Sequence, residues 1–436
     1  MDSIEGLMEG LTINGGVMTI KKLPPVLVNP ESETPGGFYF LSSLDQAIPF
    51  PMQTIYAFRT SSETTADVLK QSLAKVLVHY YPLTGSMTLD PAGRFIVECN
   101  KRGVPFVEAI ADGTIDMLGE LRKPNDDTTR KLIYIDPSIK NFMEIPLLSA
   151  QVTKFKCGGF TLGIAISHSV VDGVSGMNFI NSWAEIARGL TPSVIPFHDR
   201  TLLKTRVPPV PKAPYDDFVQ IADVSDMESL YQKERNISKM FIFEANKLAT
   251  IKKMAMADGR LQACSTFSAL AAVVWQVRSK ALNMKPAQLT KLRILVDLRS
   301  KFKERPLPKN YFGNLVTTNC CLTTAGELAE QPISYTVEQI RKACDLVDED
   351  YVWSRIDYVD LYRPPLASTG TLVISSWTRM AYGCSDFGWG DPTQFGCGDL
   401  ARELCVFQPE GEKGVAVMMA LPESAMNTFQ KLIDQV

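Results

Sequence analysis

Six prolines crowd the stretch from Thr191 to Pro214: Pro192, Pro196, Pro208, Pro209, Pro211 and Pro214. Each lacks the backbone N–H that a helix or central strand requires and fixes its own φ, so no long regular element runs through this stretch. A chain of 436 residues is too long for one small module, and such an interruption divides it into two core-forming halves joined by an extended crossover. The expected division is 1–190, a crossover over 191–237, and 238–436.

Both halves mix helical and strand periodicity. In the first, Gln53–Arg59 and Gly93–Cys99 read as strands, with Leu69, Leu73, Val76, Leu77 and Tyr80 at helical spacing between them until Pro82. Phe160, Leu162, Ile164 and Ile166 then alternate along a strand, and His168 follows in the same parity. Gly173 and Gly176 open a helix whose stripe is Met177, Ile180, Trp183, Ala184 and Ala187, closed by Gly189. The second half predicts a strand near Lys239–Phe243, helices over Asn246–Ala257 and Ser265–Leu282, a strand at Leu292–Leu298, and a last helix after Pro422. The fold class is α/β, and His168 sits at a strand-to-helix junction.

Composition removes several function classes. Hydrophobic residues make up 45% and charged residues 21%, which describes a globular chain rather than a disordered or fibrous one. Forty-five Lys and Arg against 48 Asp and Glu leave a net charge of −3, so no global field draws in nucleic acid or acidic lipid. The start MDSIEGLMEG lacks a basic n-region, and no apolar run is long enough to span a bilayer, so a cytoplasmic protein without a membrane partner is expected. Nine scattered cysteines without a C-x-x-C pair suggest reduced thiols. The three histidines, His79, His168 and His198, form no local zinc motif, and no metal is expected. No P-loop, dinucleotide fingerprint or G-x-S-x-G elbow is present.

Two constellations remain. His168-Ser169-Val170-Val171-Asp172-Gly173 places a histidine and an aspartate four apart across the junction, a pattern as compatible with a satisfied core histidine as with a catalytic base. The second is Asp386-Phe387-Gly388-Trp389-Gly390. HSVVDG and DFGWG in that order resemble the paired signatures of the plant BAHD acyl-CoA-dependent acyltransferases. LVHYYPLTGSM, QVTKFKCGGF, STFSALAAVVWQVRSKAL, VDLRSKF, YFGN and SSWTR extend the likeness over nearly the whole chain.

That resemblance implies two chloramphenicol-acetyltransferase-like domains with mixed sheets flanked by helices, a channel at their interface, and a part of the second half completing the first sheet. It assigns His168 as general base, and makes Asp172 structural, held by an arginine for which Arg299 is the candidate. Asp386, Gly388 and Trp389 become architectural. Ser375 and Trp377, one residue apart on a strand face, are assigned to the tetrahedral intermediate. The chemistry agrees: an alcohol cannot be deprotonated beforehand at neutral pH, so a neutral imidazole must take the proton as the oxygen attacks the thioester.

Acyl-CoA enters as co-substrate, with no bound cofactor. Its phosphates need basic side chains and donors, for which Lys252, Lys253, Arg278, Lys280, Arg379, Ser265 and Thr266 are candidates. SLDQ, NSWAEIARGL and RPPLAST look most like branches that move hydroxycinnamoyl or similar aromatic groups onto aliphatic alcohols. Arg363 does not align cleanly as a carboxylate binder, which disfavours an acidic acceptor, and the small residues of Met380–Cys384 suggest a reshaped acceptor pocket. An amine acceptor and a catalytically idle binding relative are the alternatives. The expected assembly is a monomer.

Overall fold

A computed structural model describes residues 7–13, 16–46, 50–123, 126–212, 215–380, 385–398 and 400–436. The N-terminal residues 1–6, Pro214, and 381–384 of the suggested acceptor pocket lie outside them. The chain forms two compact units, one of Met1–Lys204, Leu307–Leu315 and Met380–Asp399, the other of Thr205–Pro306, Val316–Arg379 and Leu400–Val436.

In the first unit a mixed sheet runs in the order Leu7–Ile13, Gly16–Lys22, Val104–Ala111, Leu148–Phe155, Phe160–Ser167, Pro51–Phe58 and Gln394–Cys397. The last strand comes from far along the chain and pairs antiparallel with Pro51–Phe58. The histidine strand, Phe160–Ser167, is buried along its entire length. Phe160, Leu162, Ile164 and Ile166 pack against the helices Thr65–His79 and Gly173–Ala187, while Ala165 faces a smaller core on the other side. A helix over Asp126–Leu132 covers that second face so closely that a Cβ at Gly163 would lie 1.9 Å from the Leu132 carbonyl oxygen. Gly163→Ala is therefore expected to cost at least about 3 kcal/mol, because backbone must move. Urea unfolding checks this, and a cost under about 1 kcal/mol would show that the helix yields instead.

The second unit holds a six-stranded sheet in the order Asn236–Phe243, Gly414–Pro422, Leu404–Glu410, Thr371–Ser376, Leu289–Asp297 and Val316–Thr324. Thr266–Ala281 is its central helix, buried almost all round by aliphatic residues and Trp275. The proline-rich crossover is not loose. It carries single 3₁₀ turns at Arg200–Leu203 and Asp216–Phe218 and a helix over Met227–Lys233. Buried Asp357 accepts from the N–H of Arg206 at 2.9 Å and of Val210 at 2.7 Å, and Ser354 Oγ accepts from Lys212 N–H at 2.6 Å. Prolines forbid a ladder here, and side chains of the helix Glu349–Tyr362 satisfy these three backbone donors instead. No helix among the described residues is long and apolar enough to cross a membrane.

Candidate functional site

The histidine strand ends at Ser167, and His168 begins a tight turn in which the N–H groups of Val170 and Val171 both donate to the Ser167 carbonyl. The His168 N–H donates to Phe50 O at 3.1 Å, which fixes the backbone of this half-buried residue. Asp172 closes the turn as N-cap of the helix Gly173–Ala187, Oδ1 accepting from Ser175 N–H at 2.8 Å. Its Oδ2 accepts from Leu315 N–H at 3.0 Å. The aspartate thus ties the junction to a segment about 140 residues downstream.

Tyr311–Leu315 is held there at several points. Ser175 Oγ donates to Gly313 O at 2.9 Å, and Phe312 N–H donates to Phe197 O at 2.9 Å. Asn314, 1% exposed, donates through Nδ2 to the His168 carbonyl at 2.8 Å and to Asp45 Oδ1 at 2.8 Å. Asp45 also accepts the N–H groups of Asn314 and Ser42. Its charge is balanced by Arg200 at 3.3 Å, both side chains being fully buried. The Arg200 guanidinium also donates to Phe312 O and Tyr39 Oη and lies over the Tyr39 and Phe312 rings. A buried ion pair with further bonds on both partners is an anchor, and Asn314 links this one to the His168 backbone.

Burial holds the His168 imidazole below the usual histidine range, against the pull of its own carbonyl, Asp172, Asn314 and Asp45 toward the charged form. The ring is therefore neutral at pH 7. Beside the histidine turn lies a shallow apolar recess lined by Pro51, Met87, Phe142, Ile145 and Leu147, with Ser167 on its rim. Among the described residues, no three His, Cys, Asp or Glu side chains gather as metal ligands.

In the second unit Ser375 lies on the strand Thr371–Ser376, and Trp377 follows it. Trp377 Nε1–H donates to Ser375 Oγ at 2.9 Å. The indole donor is thus engaged by the serine oxygen.

A model of the Transferase family matches residues 18–435. The chain is 41% identical to the Omega-hydroxypalmitate O-feruloyl transferase of Arabidopsis thaliana, with 100% of this chain and 96% of that protein covered. It is also 41% identical to the Fatty alcohol:caffeoyl-CoA acyltransferase of Arabidopsis thaliana, with coverage of 96% and 98%. The chain belongs to the BAHD acyltransferase family. Its fold is that of vinorine synthase, whose crystal structure matches with a TM-score of 0.73 at 24% identity over 96% of this chain and 98% of that one.

In this BAHD acyltransferase the residues expected from sequence fall into separate groups. His168 and Asp172 share one turn. Asp386 folds DFGWG into a loop, Oδ1 accepting from Gly388 and Gly390 N–H at 2.7 and 2.9 Å, with Arg188 at 3.6 Å. Both glycines take left-handed backbone conformations, and Trp389 packs edge-on against Phe160 of the histidine strand. Arg299 follows the strand Leu289–Asp297, with Nη1 3.1 Å from Asp297. The buried arginine within that strand is Arg293, 3.4 Å from Asp217. Ser265 caps the helix that Thr266 begins, its Oγ accepting from Ser268 N–H at 2.9 Å. Lys252, Lys253, Lys280 and Arg379 are partly or fully exposed. Arg278 is not available to a CoA phosphate at the surface: it is 3% exposed, in a helix whose polar face was lost to the core, with its charge close to Cys405. Asn314, Asp45 and Arg200 were not singled out by sequence reasoning. YFGN and SLDQ contain two of them, but only as strings.

Proposed function

We propose that this BAHD acyltransferase moves a hydroxycinnamoyl-type acyl group from CoA to the hydroxyl of a long-chain aliphatic alcohol, with His168 as general base. The observation that carries the reading is a neutral imidazole on a backbone-anchored turn, one residue from an apolar recess that reaches Ser167, in a chain 41% identical, nearly end to end, to two aromatic acyl transferases acting on fatty acceptors. In the proposed step the acceptor O–H loses its proton to His168 Nε2 while its oxygen attacks the thioester carbonyl. The tetrahedral oxyanion then collapses, the carbon–sulfur bond breaks, and the proton passes to the departing CoA thiolate. Ser375, polarised by the Trp377 indole, is assigned to the oxyanion, and Lys252, Arg379, Ser265 and Thr266 to the CoA moiety.

The test is a product analysis. Purified protein is given feruloyl-, caffeoyl-, benzoyl- and acetyl-CoA, each with a long-chain alcohol, an ω-hydroxy fatty acid, shikimate and a polyamine. Mass spectrometry is expected to find esters of the aromatic acids with the two aliphatic acceptors. Amide alone, or transfer confined to acetyl-CoA, would overturn the substrate reading. Binding of CoA without any product would return the protein to a non-catalytic role.

A further inference from the structure

We propose that Asn314 sets the tautomer of His168, presenting its amide oxygen to Nδ1 so that the proton resides there and Nε2 keeps the lone pair that the base requires. The inference rests on His168 being the base, and it starts from two orphaned atoms. His168 Nδ1 and Asn314 Oδ1 are both buried, and neither has a hydrogen-bond partner among the described residues. They belong to residues already joined through backbone, since Asn314 Nδ2 donates to the His168 carbonyl. A buried imidazole N–H and a buried amide oxygen without partners are each costly, and a small ring adjustment that pairs them removes both costs.

The orientation of the amide is dictated. Nδ2 faces two acceptors, the Asp45 carboxylate and the His168 carbonyl, each at 2.8 Å. Flipping the amide would set an oxygen against a carboxylate and a carbonyl, so the oxygen must point the other way. Asp45 is in turn fixed by the fully buried Arg200, and Asp172 holds Leu315, the next residue, by its N–H. The aspartate of H-x-x-x-D therefore acts on the histidine partly at one remove, by fixing the register of the segment that carries Asn314. Histidines that bind metals or act as bases commonly owe their tautomer to the group on the far ring nitrogen. Here that group is a neutral amide, which directs the proton without raising the basicity of the ring as a carboxylate does.

The experiment reads ring protonation directly. The chain has three histidines, so nitrogen-15 labelling of histidine, with His168→Gln as the assignment control, resolves the His168 ring by NMR. The parent protein is expected to show a protonated Nδ1 and a bare Nε2 at pH 8. Asn314→Ala and the near-isosteric Asn314→Leu are expected to shift the ring toward the Nε2–H form, and to lower kcat about 10-fold or more with KM for acyl-CoA little changed. A parent ring already in the Nε2–H form overturns the proposal, and this reading needs no Asn314 variant to fold. Folded Asn314 variants that keep the Nδ1–H form overturn it too, whatever their rate. An active His168→Ala enzyme would instead remove the base assignment, an outcome distinct from either tautomer result.

Discussion

His168→Ala is expected to lower kcat by 10²- to 10⁴-fold while leaving the thermal unfolding transition close to that of the parent. The rate loss follows from removing the group proposed to take the acceptor proton as the thioester opens. The little-changed stability follows from the anchoring: the bonds that His168 makes through its backbone, to Phe50 O and from Asn314 Nδ2, survive truncation of the ring. Steady-state rates with the best acyl-CoA and alcohol pair, alongside a melting curve, decide it. Equal rates sink the assignment. The pH dependence carries the same information: burial lowers the ring's pKa, so the acid limb of kcat/KM should fall below 6.5, with a plateau above it.

The linked stability has a definite sign. A histidine held neutral by the fold is protonated more readily in the unfolded chain, so stability falls as pH drops below 6.5 and levels off once the folded protein also takes up the proton. His198 behaves alike, its burial pushing it down to about 4, while its Nε2–H donates to the His79 carbonyl. On the order of 3 kcal/mol would be lost between those limits from His198 alone.

Arg200→Leu is expected to cost about 3–5 kcal/mol, a large part of the stability of an ordinary domain, because it strands the Asp45 carboxylate in the core. Asp45 keeps its bonds from Ser42 and Asn314 but loses its counter-charge. The double variant Arg200→Leu with Asp45→Asn should be less destabilised than the sum of the two single variants, since the penalty belongs to an unpaired charge rather than to lost packing. Urea unfolding of the four proteins measures it. Additive losses would mean that the cation contributes chiefly through its contacts with Tyr39 and Phe312.

What sequence made legible was local. The alternation of Phe160, Leu162, Ile164 and Ile166 and the glycine opening of the next helix are short-range patterns, and the structure has both. Arg278 misled because a charged residue in a helix ordinarily marks the wet face, whereas Thr266–Ala281 is apolar nearly all round and has none at that position. Asp45, Arg200 and Asn314 left no such trace. Each is a polar residue in an irregular stretch, with partners as many as 269 positions away, and periodicity carries no information over that range. The family likeness touched two of them, Asp45 in SLDQ and Asn314 in YFGN, as strings without roles.

The strand Gln394–Cys397 closes one side of the histidine sheet, and Thr393 N–H reaches the Ala57 carbonyl across 336 positions of chain. On a ribosome adding 5–20 residues each second, the Pro51–Phe58 edge waits roughly 20–70 s for its neighbour to be made. Over that interval it presents bare peptide groups to the cell, an opening for chaperones or for self-association. A chain ending before the DFGWG loop lacks this strand and leaves the edge bare.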